Sequence, residues 1–165
     1  MDVGERIVFS PNMPPEVNQL LQAAVIASSA DQARAESLFI QAQATDRHCL
    51  QTYFALYKFY FYQKRLADAE RIALSGLEES ARQGGFPSDF RRLVREPKKW
   101  DMYANEITLF YLYTLKALAF IKLRQGQMVE GQLILSLLQQ LDPQDKSGAS
   151  VIMDLAAALE AQQWN

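Results

Sequence analysis

Residues 50–81 read LQTYFALYKFYFYQKRLADAERIALSGLEESA. From Tyr53 to Tyr62, seven of ten side chains are aromatic. Tyr53, Leu56, Tyr57 and Tyr60 recur at i, i+3, i+4 and i+7, which places them on one face of a helix. Phe59 joins that core. Phe54, Lys58, Phe61 and Tyr62 fall on another face, so the helix is apolar nearly all round and needs cover on more than one side. From Leu66 onward the composition turns to Ala, Glu, Arg and Leu, with small residues at Ala69, Ala73 and Gly76 where a neighbouring helix can approach closely. A short turn between the two halves makes them an antiparallel helical hairpin.

The same reading extends in both directions. Ala, Leu, Gln, Glu, Lys and Arg dominate the chain, and no β-branched run exceeds the IVF near the start. Punctuation is sparse. Pro14 and Pro15 open a helix after an extended arm. Ser28, Ser29 and Asp31 mark a turn, with Asp31 as an N-cap, and Thr45-Asp46-Arg47 mark the next. Gly84-Gly85 stop a helix, Gly126 sits in a tight turn, Asp142-Pro143 end another helix, and Ser147-Gly148 precede the last. Aligned second helices repeat at a fixed interval: Ala35 and Ala69 are 34 residues apart, and Gly131 follows after a further 34 plus an insertion of 28.

A helix–turn–helix period of 34 with this pattern resembles the tetratricopeptide repeat family. The first-helix positions of that family fall on Tyr53, Leu56, Tyr57 and Tyr60 in the middle copy, and on Leu115, Leu118, Ala119 and Lys122 in the third. The resemblance covers 16–47, 50–81 and 112–143. Tyr57 stands where the family has a small residue, and Lys122 and Gln22 depart from it as well. The resemblance implies an all-α, right-handed solenoid of three degenerate repeats with seven or eight helices. Its parts are an extended arm (1–14), repeat 1 (15–47), repeat 2 (48–83), a basic insertion (84–109), repeat 3 (110–143) and a C-terminal capping helix (147–163), which such a stack needs at its end. It also implies that Phe54, Lys58, Phe61 and Tyr62, with Tyr113, Lys116, Phe120 and Arg124 of the third copy, line a concave groove. Rings interleaved with cations suit protein recognition. The groove is covered either by the chain itself, through the insertion, the arm or the last helix, or by a partner.

The run CLQTYFALYKFYFYQKRLADAERIALSGLEESARQGGFPSDFR also resembles the small tetratricopeptide-type proteins encoded beside nitrogen-fixation genes in diazotrophic bacteria, the nitrogenase-associated factor T group. That resemblance implies an accessory protein without a cofactor, docking on a nitrogenase component during assembly, maturation or repair.

Between Arg82 and Asp101 six basic residues face three acidic ones, so the remainder of a chain of net charge −2 is acidic. Ser88 is a candidate cap for a short helix holding Phe90, Leu93 and Val94, and Phe86 and Trp100 are candidate anchors. Arg91, Arg92 and Arg95 form a second candidate surface, for an acidic protein. So small a patch on a negative chain argues against nucleic acid.

Apolar residues make up 49 % and charged residues 22 %, the balance of a folded domain. The opening MDVGERIVFSPNMPPE lacks a basic segment followed by a long apolar run, and no stretch reaches membrane-spanning length, so the expected location is the cytoplasm. One cysteine, Cys49, fits that compartment. The chemistry of catalysis is missing. His48 and Cys49 are neighbours that point about 100° apart on a helix, without further ligands at metal spacing. No Gly-rich phosphate loop occurs. Glu78-Glu79 and Asp68/Glu70 read as solvent faces. A binding protein without a cofactor is the expectation, with three variants open: an assembly factor for a large metalloenzyme, a general peptide-groove adaptor or co-chaperone, and a small-molecule-binding helical domain.

Overall fold

The structure, a computed structural model, describes residues 9, 10, 12–96 and 98–153. Among them it is all-helical. The helices are α1 (Pro15–Ala27), α2 (Gln32–Thr45), α3 (Leu50–Tyr62), α4 (Leu66–Gly84), α5 (Phe90–Arg95), α6 (Glu106–Arg124) and α7 (Met128–Leu141). The chain is helical again from 149 to 153, and the rest of the expected capping helix lies outside the described residues.

The local signals account for the boundaries. Pro15 occupies the first turn of α1, where its missing N–H costs nothing. Asp31 accepts from the Arg34 N–H at 3.1 Å and caps α2. Gly85, at φ +71°, closes α4 in the left-handed region. The α3–α4 and α6–α7 turns have one architecture. In the first, Lys64 N–H bonds to Phe61 O and Arg65 N–H to Tyr60 O. In the second, Gly126 N–H bonds to Leu123 O and Gln127 N–H to Lys122 O. Lys64 (φ 60°) and Gly126 (φ 80°) hold equivalent left-handed positions 62 residues apart, the spacing that also separates Ala69 from Gly131. The α1–α2 turn is one residue longer and lacks this geometry.

Two boundaries differ from expectation. The insertion ends at 105, not 109, because Asn105 accepts from Ile107 and Thr108 N–H while Thr108 Oγ1 accepts from the Asn105 N–H, a reciprocal cap that starts α6 early. Asp89, not Ser88, caps α5 through the Arg91 N–H at 2.9 Å; the Ser88 carbonyl accepts from Tyr111 Oη at 2.7 Å.

Hairpins α1/α2, α3/α4 and α6/α7 pack in chain order, with α2 against α3 and α4 against α6. Tyr53, Leu56, Tyr57, Phe59 and Tyr60 are all buried, as are Leu115, Leu118 and Ala119. Tyr57 does not allow a close approach. Its ring stands between α3 and α6, with Oη 3.3 Å from Thr114 Oγ1. Lys122 ties α4 to α7 by pairing with Glu70 and with Glu130 at 3.1 Å. Two of the three departures from the repeat pattern therefore carry contacts between helices, whereas Gln22 bonds within α1, its Nε2 donating to Asn18 Oδ1 at 3.2 Å. The insertion docks α5 on α7 through fully buried Leu93, and Phe86 meets Tyr111 edge-on at 5.1 Å.

Candidate functional site

The residues expected to line a groove divide into two groups with different surroundings. Between the second and third hairpins the chain covers these residues itself. Phe9, from the arm, is 5 % exposed and meets Phe54, Phe110 and Tyr113 edge-on at 5.1, 5.3 and 5.6 Å. Its N–H donates to Gln51 Oε1 at 2.8 Å. Tyr113 Oη donates to Lys146 O at 3.0 Å, and Lys116 Nζ donates to Ser147 O at 2.6 Å. This turn after α7 is pinned by Asp142, a buried carboxylate that accepts from the Ser147 N–H at 2.9 Å and from Tyr103 Oη at 2.5 Å. Tyr113 and Lys116 thus support the chain's own C-terminal turn.

Among the described residues the other group borders an open pocket. A pocket of about 460 Å³ lies between the end of α1, α2 and the length of α3. Its walls are Val25 and Ser28, Phe39, and the α3 stripe Gln51, Phe54, Ala55, Lys58, Phe59 and Tyr62, ending at Gln63. Val25 is 60 % exposed and Tyr62 58 %, so the rim is apolar and wet. Lys58 is half-buried, with Nζ 4.8 Å from the Phe54 ring centroid. Among the described residues no carboxylate lies within 4.0 Å of it. Burial holds its pKa below the usual lysine value, because a desolvated ammonium is penalised.

The eleven residues singled out in the sequence therefore separate. Phe54, Lys58 and Tyr62 meet in the open pocket. Phe61 and Phe120 stack with each other at 5.2 Å, half-buried, and Arg124 is exposed at the end of α6. Arg91, Arg92 and Arg95 are exposed on α5, which packs on α7, and so do not share the pocket with the α3 residues. Sequence reasoning missed Val25, Gln51 and Ala55 as pocket walls. The signal available was the α3 register: Gln51, Ala55 and Tyr62 continue the stripe of Phe54 and Lys58.

Glu79 is not the bare solvent-facing group expected of it. Glu79 is only 14 % exposed; it pairs with Arg82, lies 3.0 Å from His48 Nδ1 and accepts from Gln83 Nε2 at 3.0 Å. Gln83 Nε2 also donates to the His48 carbonyl at 2.7 Å, so the cluster ties α4 to the start of α3. Cys49 beside it is buried. The Arg82 hydrogen bond, with help from His48 and Gln83 and against burial, holds the Glu79 carboxyl at about 2 instead of 4.5. A depressed folded-state pKa stabilises above the unfolded value, and that contribution is lost as pH falls through the folded one. Glu79→Gln is expected to cost on the order of 1 kcal/mol at pH 7, solvent screening included. The gap to wild type should close between pH 4.5 and about 2. Denaturation midpoints against pH read this; a gap constant down to pH 2 would assign the effect to packing.

Among the described residues no group of three or more His, Cys, Asp or Glu is placed to hold a metal ion, and no helix is long and apolar enough to cross a membrane. No family model matches the chain, and no solved structure matches it. An uncharacterised 19.8 kDa protein in the nifW 5′ region of Azotobacter chroococcum mcd 1 is 26 % identical over 159 residues, which are 94 % of this chain and 86 % of that protein.

Proposed function

We propose that this chain is a non-catalytic accessory protein of the nitrogen-fixation apparatus. It works in the cytoplasm without a cofactor of its own, as a short right-handed tetratricopeptide-like stack of three hairpins. Its concave face docks on a protein partner, a nitrogenase component during assembly, maturation or repair. The observation that carries the docking reading is the open α1–α3 pocket: apolar walls, an exposed Tyr62 at the rim, and a half-buried Lys58 that lacks a carboxylate among the described residues. A desolvated cation beside aromatic rings gains most from a partner carboxylate delivered with apolar surface. The relative in a nifW 5′ region, aligned over nearly the whole of this chain, supports the placement in nitrogen fixation.

Tagged wild-type protein, purified from the native host grown without fixed nitrogen, is expected to retain a nitrogenase component in stoichiometric amount. Lys58→Glu with Tyr62→Ala should reduce that retention at least tenfold, since charge reversal and loss of a rim aromatic each remove a typical interface anchor. Both side chains are partly or largely exposed, so the thermal midpoint should stay near wild type. Equal retention by the variant would move the docking face to the basic surface of Arg91, Arg92 and Arg95. Unrelated partners, or peptides alone, would favour a general adaptor.

A further inference from the structure

The N-terminus of α3 lacks a cap of its own. Cys49 at the N-cap position makes no side-chain capping bond, although first-turn N–H groups without helical partners need acceptors. The missing acceptor comes from the arm. Ser10 Oγ accepts from the Gln51 N–H at 3.3 Å, while the Gln51 side chain takes the Phe9 N–H at 2.8 Å. One residue thus grips two consecutive arm residues, and Phe9 enters a socket walled by Phe54 of α3 and by Phe110 and Tyr113 of α6. A dipeptide outside any helix, aromatic then hydroxyl, occupies the site as a ligand would: ring in an aromatic socket, backbone and hydroxyl on Gln51 in the first turn of α3.

Two features make this occupant exchangeable. Phe9 and Ser10 lie in a chain segment outside any helix, so releasing them breaks no backbone hydrogen bond within a helix. Gln51 and Phe54 also wall the open α1–α3 pocket. A segment entering that pocket therefore touches the two residues that hold the arm.

We propose that the Phe9 socket is itself an interaction site, specific for a segment with an aromatic residue followed by Ser or Thr. The chain's own Phe9-Ser10 fills it in the isolated protein, and a partner segment of the same chemistry enters from the open pocket and displaces the arm. This extends the docking reading above by naming what the partner presents. The arm's tethering gives it a high effective concentration, so the socket is selective for partners that hold the neighbouring pocket at the same time.

The probe is the chain's own residues 1–14 as a fluorescent peptide, followed by anisotropy against full-length protein. Full-length Phe9→Ala, whose socket lacks its ring, is expected to bind the peptide at least tenfold more tightly than wild type. The peptide carrying Phe9→Ala should bind neither protein, and Ser10→Ala in the peptide should weaken binding severalfold. Equal or absent binding to Phe9→Ala and wild type overturns the proposal. Hydrogen exchange of the wild type provides a second measurement that needs no variant. The Phe9 amide should exchange at least tenfold faster than the amides of Leu115 and Leu118 in α6, through opening of the arm alone. Exchange only with global unfolding would make Phe9 permanent core and overturn the proposal. Neither measurement involves a nitrogenase component, so failure here leaves the docking reading standing, and failure of the retention experiment leaves the socket standing.

Discussion

Phe110→Ala is expected to lower the free energy of unfolding by about 3–5 kcal/mol, the range for deleting a buried aromatic ring. Phe110 is wholly buried, and its ring is where three parts of the chain converge. Phe9 meets it edge-on at 5.3 Å. A Cβ built on Gly76 of α4 would lie 3.1 Å from its Cζ and 3.4 Å from Tyr53 Cβ of α3. Truncation leaves a cavity bounded by two hairpins and the arm. Backbones on three sides cannot collapse into it together, which places the cost toward the upper part of the range. Urea denaturation at an unchanged m-value is the measurement. A loss below about 1 kcal/mol would show that the second and third hairpins do not depend on this ring for their contact.

Gly76→Leu should cost about 3 kcal/mol or more, because there is no free volume at the α3–α4–α6 junction for further carbon. Gly76→Ala separates the contributions. A single methyl at 3.1 Å from Phe110 Cζ needs the ring to give by a few tenths of an ångström, while alanine recovers about 1 kcal/mol of helix propensity. The net change should be close to zero. The double variant Gly76→Leu with Phe110→Ala is the more decisive measurement. The leucine can enter the space that the ring vacates, so the combined loss should fall short of the sum by at least about 1 kcal/mol. Strict additivity would mean that Gly76 and Phe110 do not compete for one volume.

Much of the fold was legible because its signals are local. Asp31, Gly85 and Gly126 act within one turn of where they stand. The burial of Tyr53, Leu56, Tyr57 and Tyr60 follows from helical period alone. Asn105 with Thr108 three residues on is a readable start signal that lies ahead of the repeat boundary at 110. The left-handed Lys64 could not be seen as a turn residue, since lysine carries no such preference; only its equivalence to Gly126 reveals it. Glu79 reads as a solvent-facing carboxylate in sequence, yet Arg82 and the distant His48 turn it into a strongly ionised joint between helices.

By itself the sequence determined the helices, their pairing into hairpins and the faces that each helix must bury, because period, caps and short turns act over a few residues. It also supplied the rings and cations on the second face of α3 and on α6. Which of those groups remain accessible was decided only in three dimensions. Phe9 meets rings at positions 54, 110 and 113, and the turn at 146–147 accepts from Tyr113 and Lys116. No local pattern encodes contacts between such distant segments. They form when the hairpins pack, covering Tyr113 and Lys116 and, among the described residues, leaving Lys58 and Tyr62 at the mouth of the α1–α3 pocket.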